Sequence, residues 1–287
     1  MWLVALPALR VSCSALLVAP SEDFLPTSVF CVYNLTEETG RAVAVVEGGK
    51  RAEVERSARL VQDSWLVQYA VTGEAERLAP RPPGTEGGAV VQYGDSLCLV
   101  GGAGGEGASA RVHCWNPLGG GQTWVELAPM LRARFRPGAV VMDGKLYVVG
   151  GYDPSSHTFL TEAEVFDDVQ QAWFPLPSLS AGRAGLGLAP LDGRLYAVGG
   201  WRGHSYLRYK RCLNNSLQPR TLLFFRDVEV YDSLVGRWSP GPSLQERRGK
   251  LGLVTAGTDP PRLYALAGVS GFRRTDQLDS VERWVKT

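Results

Sequence analysis

Short runs of alternating apolar and polar residues follow one another along most of the chain, separated by glycine-rich turns. The clearest example has an apolar run at 138–142, an Asp-Gly pair, and a second apolar run that ends in the glycine doublet 150–151. Asp-Gly between two β-rich runs is a strong hairpin signal, because a type I′ turn needs positive φ at both central residues. Two more strand-like runs follow at 164–167 and 173–177. The pattern predicts one four-stranded antiparallel unit.

This unit recurs along the chain with a regular period. Glycine doublets end the second strand of each unit and begin at residues 48, 101, 150, 199 and, in degenerate form, 267. A period of about 50 residues with four strands in each repeat is typical of a β-propeller blade. The sequence therefore predicts an all-β propeller of four-stranded antiparallel blades over residues 40–287, with five recognisable blades in a ring of five or six.

The last unit ends after its third strand, so the predicted ring needs a strand from elsewhere in the chain. An open sheet edge favours aggregation, and propellers leave few such edges. We therefore expect the N-terminal segment, residues 1–39, to contribute a closing strand from within 14–34. The competing interpretation is a truncated chain that lacks a blade.

Three repeated features resemble kelch repeats. They are the Asp-Gly-x-Leu-Tyr-x-Val-Gly-Gly segment at 143–151, the Glu-Val-Phe/Tyr-Asp segment at 164–167 and 229–232, and the tryptophan about seven residues after it. The resemblance covers roughly residues 40–287. The segments that end in Arg134 and Arg183 look most like the kelch-like subfamily, whose members usually carry BTB and BACK domains upstream. No BTB or BACK pattern is visible in this sequence.

Net charge and cysteine usage narrow the class of partner and the compartment. The formal net charge is +1, which does not favour nucleic acid as a partner. Five cysteines without CxxC spacing do not suggest a disulfide framework, and Cys98 and Cys114 are expected to be separate buried thiols. This usage favours a reducing, cytoplasmic environment. Pro7, Arg10 and Pro20 interrupt the apolar N-terminus, so we expect neither a signal peptide nor a membrane span.

The sequence shows no catalytic or cofactor-binding constellation. Residues 102–107 match the dinucleotide fingerprint GxGxxG, but a strand pattern follows them where that fingerprint needs a helix. Three scattered histidines do not suggest a metal site of the kind that kelch-containing galactose oxidase uses. We therefore expect no catalytic residues, no metal and no cofactor.

Arginines recur at one position between the fourth strand of a unit and the first strand of the next. Arg134 stands eight residues before Met142, as Arg183 stands eight before Leu191. Equivalent loops of a propeller converge on one face, where guanidinium groups would bind an acidic peptide by bidentate contacts. The insertion at 201–226 adds arginines among aromatics, a composition typical of interface hot spots. The predicted partner-binding residues are Arg132, Arg134, Arg136, Arg183, Arg202, His204, Tyr206, Arg208, Arg247 and Arg248. Ordinary solvated loop charge is the alternative.

The resemblance implies a non-enzymatic protein-interaction module. In kelch-like proteins this face holds a substrate for a cullin-3 ubiquitin ligase, and the BTB domain supplies the ligase contact. This chain could therefore act as the substrate-recognition part of such an adaptor, with cullin-3 as a partner only if a longer form carries BTB. An actin-associated or assembly scaffold is the alternative, and a kelch-type enzyme is a third. Replacing Arg134 and Arg183 by alanine should weaken an acidic partner's binding and leave stability unchanged.

Overall fold

The structure is a computed structural model. It describes residues 13–19, 27–33, 42–46, 53–54, 58–59, 65–69, 75–80, 82–104, 107–116, 123–203, 223–256, 262–266, 268–271, 278 and 280–284. Within these residues every regular element is a β-strand. No helix in this part of the chain is long and apolar enough to cross a membrane.

The first seven strands precede residue 81. They are β1 (Cys13–Ala19), β2 (Thr27–Tyr33), β3 (Ala42–Val46), β4 (Glu53–Val54), β5 (Ala58–Arg59), β6 (Trp65–Tyr69) and β7 (Ala75–Pro80). β2, β3, β6 and β7 are antiparallel neighbours in that order, and β4 pairs with β5. The three strands of the first predicted unit are therefore paired, and β2 of the N-terminal segment lies beside them.

Three separate four-stranded sheets follow, which we call blades I, II and III. Blade I contains β8 (Ala89–Tyr93), β9 (Ser96–Val100), β12 (Val112–Trp115) and β13 (Val125–Leu127), with the short pair β10 (Ala103–Gly104) and β11 (Gly107–Ala108) between its second and third strands. Blade II contains β14 (Gly138–Met142), β15 (Lys145–Val149), β18 (Ala163–Asp167) and β19 (Ala172–Leu176), with β16 (Tyr152–Asp153) and β17 (Thr158–Phe159) placed likewise. Blade III contains β20 (Gly187–Leu191), β21 (Arg194–Val198), β24 (Val228–Asp232) and β25 (Arg237–Gly241), with β22 (Trp201–Arg202) and β23 (Leu223–Phe224).

The last unit has three strands of its own, which we call blade IV. They are β26 (Gly252–Ala256), β27 (Arg262–Leu266) and β28 (Val281–Trp284). β1 joins this sheet beside β26, in the register Cys13↔Val254 and Ser14↔Leu253, and β2 lies beyond β1. The N-terminal segment thus reaches the last unit at its first strand. How the ring closes, and whether it holds five or six blades, stays a prediction.

The core lies between successive blades. All residues of β9, β15 and β21 except the first of each are buried, because both faces of a second strand pack against neighbouring sheets. One cluster joins blade I residues such as Val100 to Phe166 and Trp173 of blade II. The Trp173 indole donates a hydrogen bond of 2.8 Å to the carbonyl of Ala128, which follows blade I. The repeated aromatics therefore fasten each blade to the one before it.

A chain of backbone hydrogen bonds links equivalent positions of successive blades. The amide of Arg136 donates to the Gly87 carbonyl at 2.9 Å, Gly185 to Arg136 at 2.8 Å, and Lys250 to Gly185 at 2.7 Å. All four residues have positive φ. We call this the inter-blade amide chain.

The predicted all-β fold of four-stranded blades is confirmed.

The glycine doublets lie where one blade meets the next. A Cβ on Gly150 would sit 2.5 Å from the Arg183 carbonyl oxygen, and one on Gly101 would sit 2.6 Å from that of Arg134. The second glycine of each doublet uses the same carbonyl, since Gly151 donates to Arg183 and Gly102 to Arg134, both at 2.8 Å. The doublets are therefore docking points as well as strand ends.

The structure corrects the prediction for two cysteines. Cys98 and Cys114 form a disulfide, so they are not separate thiols. Their positions face each other directly in the β9–β12 register. The apolar pattern of each strand shows that the residues are buried, but the pairing depends on the register between strands, which the pattern does not contain.

Two glycines of blade II offer a matched test of this packing. Gly144 and Gly150 have φ of +74° and +64°, but a Cβ would meet backbone within 4 Å only at Gly150. We expect Gly144→Ala to lower the free energy of unfolding by about 1 kcal/mol, the cost of positive φ alone. Gly150→Ala should cost about 3 kcal/mol or more, because the neighbouring backbone must move. Denaturant titration measures both, and equal losses would contradict a close approach at Gly150.

Candidate functional site

The candidate site is one face of the propeller. Two kinds of connection emerge there, those between the second and third strands of a blade and those between successive blades. Strands alternate in direction, so the links between second and third strands and the links between blades emerge at the same end of each sheet. Isolated β-bridges join the two kinds of connection directly, since Phe135 pairs with Tyr152 and Ala184 pairs with Trp201. We call this the loop face, and the opposite one, with the hairpins between first and second strands, the turn face. The seven predicted site residues that the structure describes fall in loop-face connections.

Arg134 lies inside blade II below the loop face. Its side chain is 0% exposed. The guanidinium donates to the carbonyl of Gly150 at 2.6 Å and to that of Glu162 at 2.7 Å, and it pairs with Glu164 at 2.5 Å. Glu164 also accepts a hydrogen bond from the Leu131 amide. One side chain therefore ties the second strand, the third strand and the preceding connection together.

Arg183 makes the same set of contacts in blade III. It pairs with Glu229 at 2.7 Å and donates to the carbonyls of Gly199 and Asp227. Its guanidinium carbon also lies 4.3 Å from the centroid of the Phe225 ring, within range of a cation–π contact. The side chain is 1% exposed.

Arg248 is the equivalent residue of blade IV, and its side chain is 0% exposed. Its Nε donates to Glu282 at 2.9 Å, and its terminal nitrogens donate to Ser280 and Glu246. Burial of Arg134 and Arg183 lowers their guanidinium pKa, and their glutamate partners oppose that shift. Burial thus removes all three arginines from direct contact with a partner protein and gives them an interior role.

Four of the other predicted residues reach solvent. Arg132 has a side chain that is 43% exposed and lies 3.7 Å from Asp153. Arg136 is half-buried, and its guanidinium carbon lies 5.1 Å from the Phe135 ring centroid. Arg202, in β22, and Arg247 are exposed. Their role in partner binding stays a prediction. His204, Tyr206 and Arg208 lie outside the described residues.

An aromatic cluster supports the loop face between blades II, III and IV. Its buried members are Tyr152, Ala184, Trp201, Phe224 and Val269, with Phe135 and Phe159 packed against them. The strand pattern of the sequence did not reveal this cluster, because four of its aromatic members come from β16, β17, β22 and β23, which are only two residues long, and the other members lie in connections. The aromatic residues at 152 and 201, which directly follow two of the glycine doublets, were the signal that could have revealed it.

The sequence pattern did not reveal the Arg–Glu pairs either. It predicts the repeated glutamates as part of the repeat and the repeated arginines as partner-binding residues. The separations along the chain are 30, 46 and 34 residues. Because insertions of different length separate each arginine from its glutamate, the sequence shows no constant spacing between the two residues. The common signal is that Arg and Glu occur together, once in each of three units.

Chemically, the loop face presents exposed charged side chains above a closely packed interior. Within the described residues no group of three or more His, Cys, Asp or Glu could hold a metal ion. The exposed guanidiniums offer charged donors, and the aromatic cluster holds their connections in place. Such an arrangement suits carboxylate groups on a partner.

Comparison with known proteins supports the repeat assignment. A family model described as Kelch motif matches residues 133–180, which include blade II. The solved structure of YjhT aligns with a TM-score of 0.62 at 14% identity and covers 96% of this chain and 95% of that one. The chain has a β-propeller fold and contains a kelch motif in blade II.

Similar sequences include proteins of two kelch groups. Kelch-like protein 23 of Homo sapiens is 38% identical over 77 residues, which cover 27% of this chain and 12% of that protein. The Mus musculus protein gives the same figures. An F-box/kelch-repeat protein of Arabidopsis thaliana is 32% identical over 94 residues, covering 31% of this chain and 23% of that protein. The matched regions are thus a minor part of each relative's length.

Burial reverses the stability expected for the Arg134 variant. Arg134→Met leaves Glu164 buried without its cation, so we expect a loss of about 3–5 kcal/mol in the free energy of unfolding. Arg132→Ala, at the exposed neighbour, should change it by no more than about 0.5 kcal/mol. Arg134→Met/Glu164→Leu should recover part of the loss. If Arg134→Met proves as stable as Arg132→Ala in denaturant titration, the interior role is wrong.

The blade IV pair predicts a dependence on pH. Burial raises the pKa of Glu282, but hydrogen bonds from the Gln245 amide and from Arg248 outweigh it, so this pKa lies below its ordinary value. Glutamate in the unfolded chain titrates near pH ~4.3 and therefore binds a proton first as pH falls. Stability should be fully present above that value and decline as pH falls towards the folded pKa. Glu282→Gln should flatten this decline in thermal melts below about pH 5, and an unchanged slope would contradict the assignment.

Proposed function

We propose that this kelch propeller is a non-enzymatic recognition module that binds an acidic segment of a partner protein on its loop face. A kelch propeller is a protein-interaction module. The observation that carries the proposal is the placement of Arg132, Arg136, Arg202 and Arg247, which reach solvent on connections fixed by the interior arginines. Guanidiniums on a preorganised backbone lose less freedom on binding than those on a free loop.

Electrostatic and stacking contacts define the kind of segment that would fit. Arg202 has its guanidinium carbon 5.7 Å from the Phe225 ring, which limits its orientation while leaving its outer donors free for a carboxylate. Arg136 is fixed through its backbone in the inter-blade amide chain. An acidic peptide that crosses blades II to IV would meet all four side chains.

We further propose that the partner is a substrate for ubiquitin transfer. The support is the similarity to Kelch-like protein 23 over 77 residues, together with the kelch-like resemblance of the segments that end in Arg134 and Arg183. On this proposal the protein is cytoplasmic, and a longer form with a BTB domain recruits cullin-3. Recovery of cullin-3 with the longer form, but not with the propeller alone, would support it.

A charge-matched pair of variants tests the binding face. An acidic peptide is first selected on the wild-type propeller from a displayed library. We expect Arg202→Ala/Arg247→Ala to raise its Kd about tenfold or more, because two charged contacts are lost together. Arg194→Ala/Arg237→Ala removes exposed arginines beside turn-face hairpins and should leave the Kd unchanged.

Calorimetric titration at two salt concentrations measures both variants. The loop-face interaction should weaken as salt rises, because exposed charge pairs are screened. Equal weakening by the two variants, or none by either, would overturn the proposed face. Thermal melts of each variant show whether the fold is retained, and neither should shift by more than about 2 °C, since the replaced side chains are exposed.

A further inference from the structure

Blade I lacks the Arg–Glu pair of the other three blades. Thr85 occupies the position of Arg134, since each precedes by two residues a member of the inter-blade amide chain, Gly87 or Arg136. His113 occupies the position of Glu164, since β12 pairs His113 with Leu99 as β18 pairs Glu164 with Val148. Both replacements are buried. The ion pair is therefore absent from this blade as a unit.

The hydrogen-bond donors around these two positions also differ between blade I and blade II. In blade II the Leu131 amide donates to Glu164, whereas the equivalent residue of blade I is Pro82, which has no amide hydrogen. The Thr85 hydroxyl donates instead to the Pro82 carbonyl at 2.6 Å. His113 Nε2 is buried without a hydrogen-bond partner among the described residues. No polar group of this set links β9 to β12 in the way that Arg134 links β15 to β18.

A covalent bond joins those two strands instead. Cys98 and Cys114 lie one register step from the Leu99–His113 pair. In blade II the equivalent pair is Tyr147 and Val165, which makes no covalent link. Blade I is thus the blade of the four in which a cross-strand disulfide replaces the ion pair.

The disulfide closes the part of blade I that reaches the loop face. Cys98 and Cys114 are 16 residues apart, and the pair β10–β11 lies between them. The Ser109 carbonyl in this segment accepts a hydrogen bond from the Arg134 amide at 3.0 Å. Both cysteines also belong to the core cluster shared with blade II. Any loosening here acts directly on the connection that holds Arg134.

We propose that Cys98–Cys114 is a redox latch that holds blade I and its β10–β11 hairpin in place of the missing Arg–Glu pair. In the oxidised protein the latch keeps β9 and β12 together. After reduction, these strands have neither the covalent link nor the ion pair, and the hairpin loosens. This device is independent of the proposed partner, because its consequences are measured on the propeller alone.

The chemistry is a two-electron thiol–disulfide exchange. A thiolate of a cellular thiol reductant attacks one sulfur, forms a mixed disulfide and releases the other cysteine, which takes up a proton. A second reductant thiol then displaces the first cysteine. The protein gains two thiols, and the reductant becomes its own disulfide.

The edge of blade I provides the route to the buried sulfurs. Its outer strand β13 has only three residues, and Val125, opposite Cys114, is 63% exposed. A short, exposed edge strand opens locally at low cost. Release of β13 uncovers Cys114 on β12, the neighbouring strand of the same sheet.

Full-length protein, alkylated at lysis and mapped without reductant, gives the first readout. We expect a cross-linked peptide containing Cys98 and Cys114 that dithiothreitol removes. Hydrogen exchange then compares the two states: amides of β9, β12 and β10–β11 should exchange about tenfold or more faster after reduction. The matching amides of blade II, at 145–166, should change less than about twofold. The melting temperature should fall by roughly 5–10 °C.

Cys98→Ala/Cys114→Val provides the control, since valine copies the blade II residue Val165. It should exchange as the reduced wild type does and give no response to dithiothreitol. Loss of the cross-link from the map, unchanged exchange in blade I, or equal acceleration in every blade would overturn the latch. A response of the control variant to dithiothreitol would do the same, by assigning the effect to other cysteines. The wild-type comparison is decisive even if the variant does not fold.

Discussion

The buried arginine at the junction of two blades is the interaction on which this propeller depends. The Arg134 side chain holds the second and third strands of blade II, while its backbone carbonyl accepts the Gly102 amide of blade I. Arg183 repeats both contacts one blade further on. The same residue therefore organises a sheet from within and docks it on its neighbour. A change in the position of this residue would therefore alter both the strand arrangement within a blade and the contact between that blade and its neighbour.

This dual contact explains why a charge is retained in the interior. An ion pair taken from water gains little by itself, because desolvation offsets the attraction. Here the guanidinium also donates to the carbonyls of Gly150 and Glu162, which lie just beyond the ends of β15 and β18. A planar group with five donors can reach three acceptors along two strands, which an apolar side chain of the same volume cannot do.

The fold was largely predictable from the sequence, and the candidate site was not. Hairpins, doublets and period identify the strands and blades, because each depends on local pattern. Recurrence of Arg134, Arg183 and Arg248 was also visible, but a period cannot show whether a side chain points to solvent or to the interior. Arg and Glu occur together in three units and are both missing from blade I, at Thr85 and His113, and this joint pattern was the sequence signal of their pairing. The Cys98–Cys114 bond needed the strand register.

The inter-blade amide chain makes two positions of the loop face independent of side-chain identity. Its bonds use backbone atoms, so Arg136 and Lys250 serve it as well as Gly87 and Gly185 do. The glycine positions have no such freedom, because a Cβ on Gly185 would meet the Trp201 indole nitrogen at 3.0 Å. Lys250 is buried, whereas Arg136 reaches solvent. Related propellers could therefore diverge in what this connection presents by exchanging Arg136, whose backbone role is already secured.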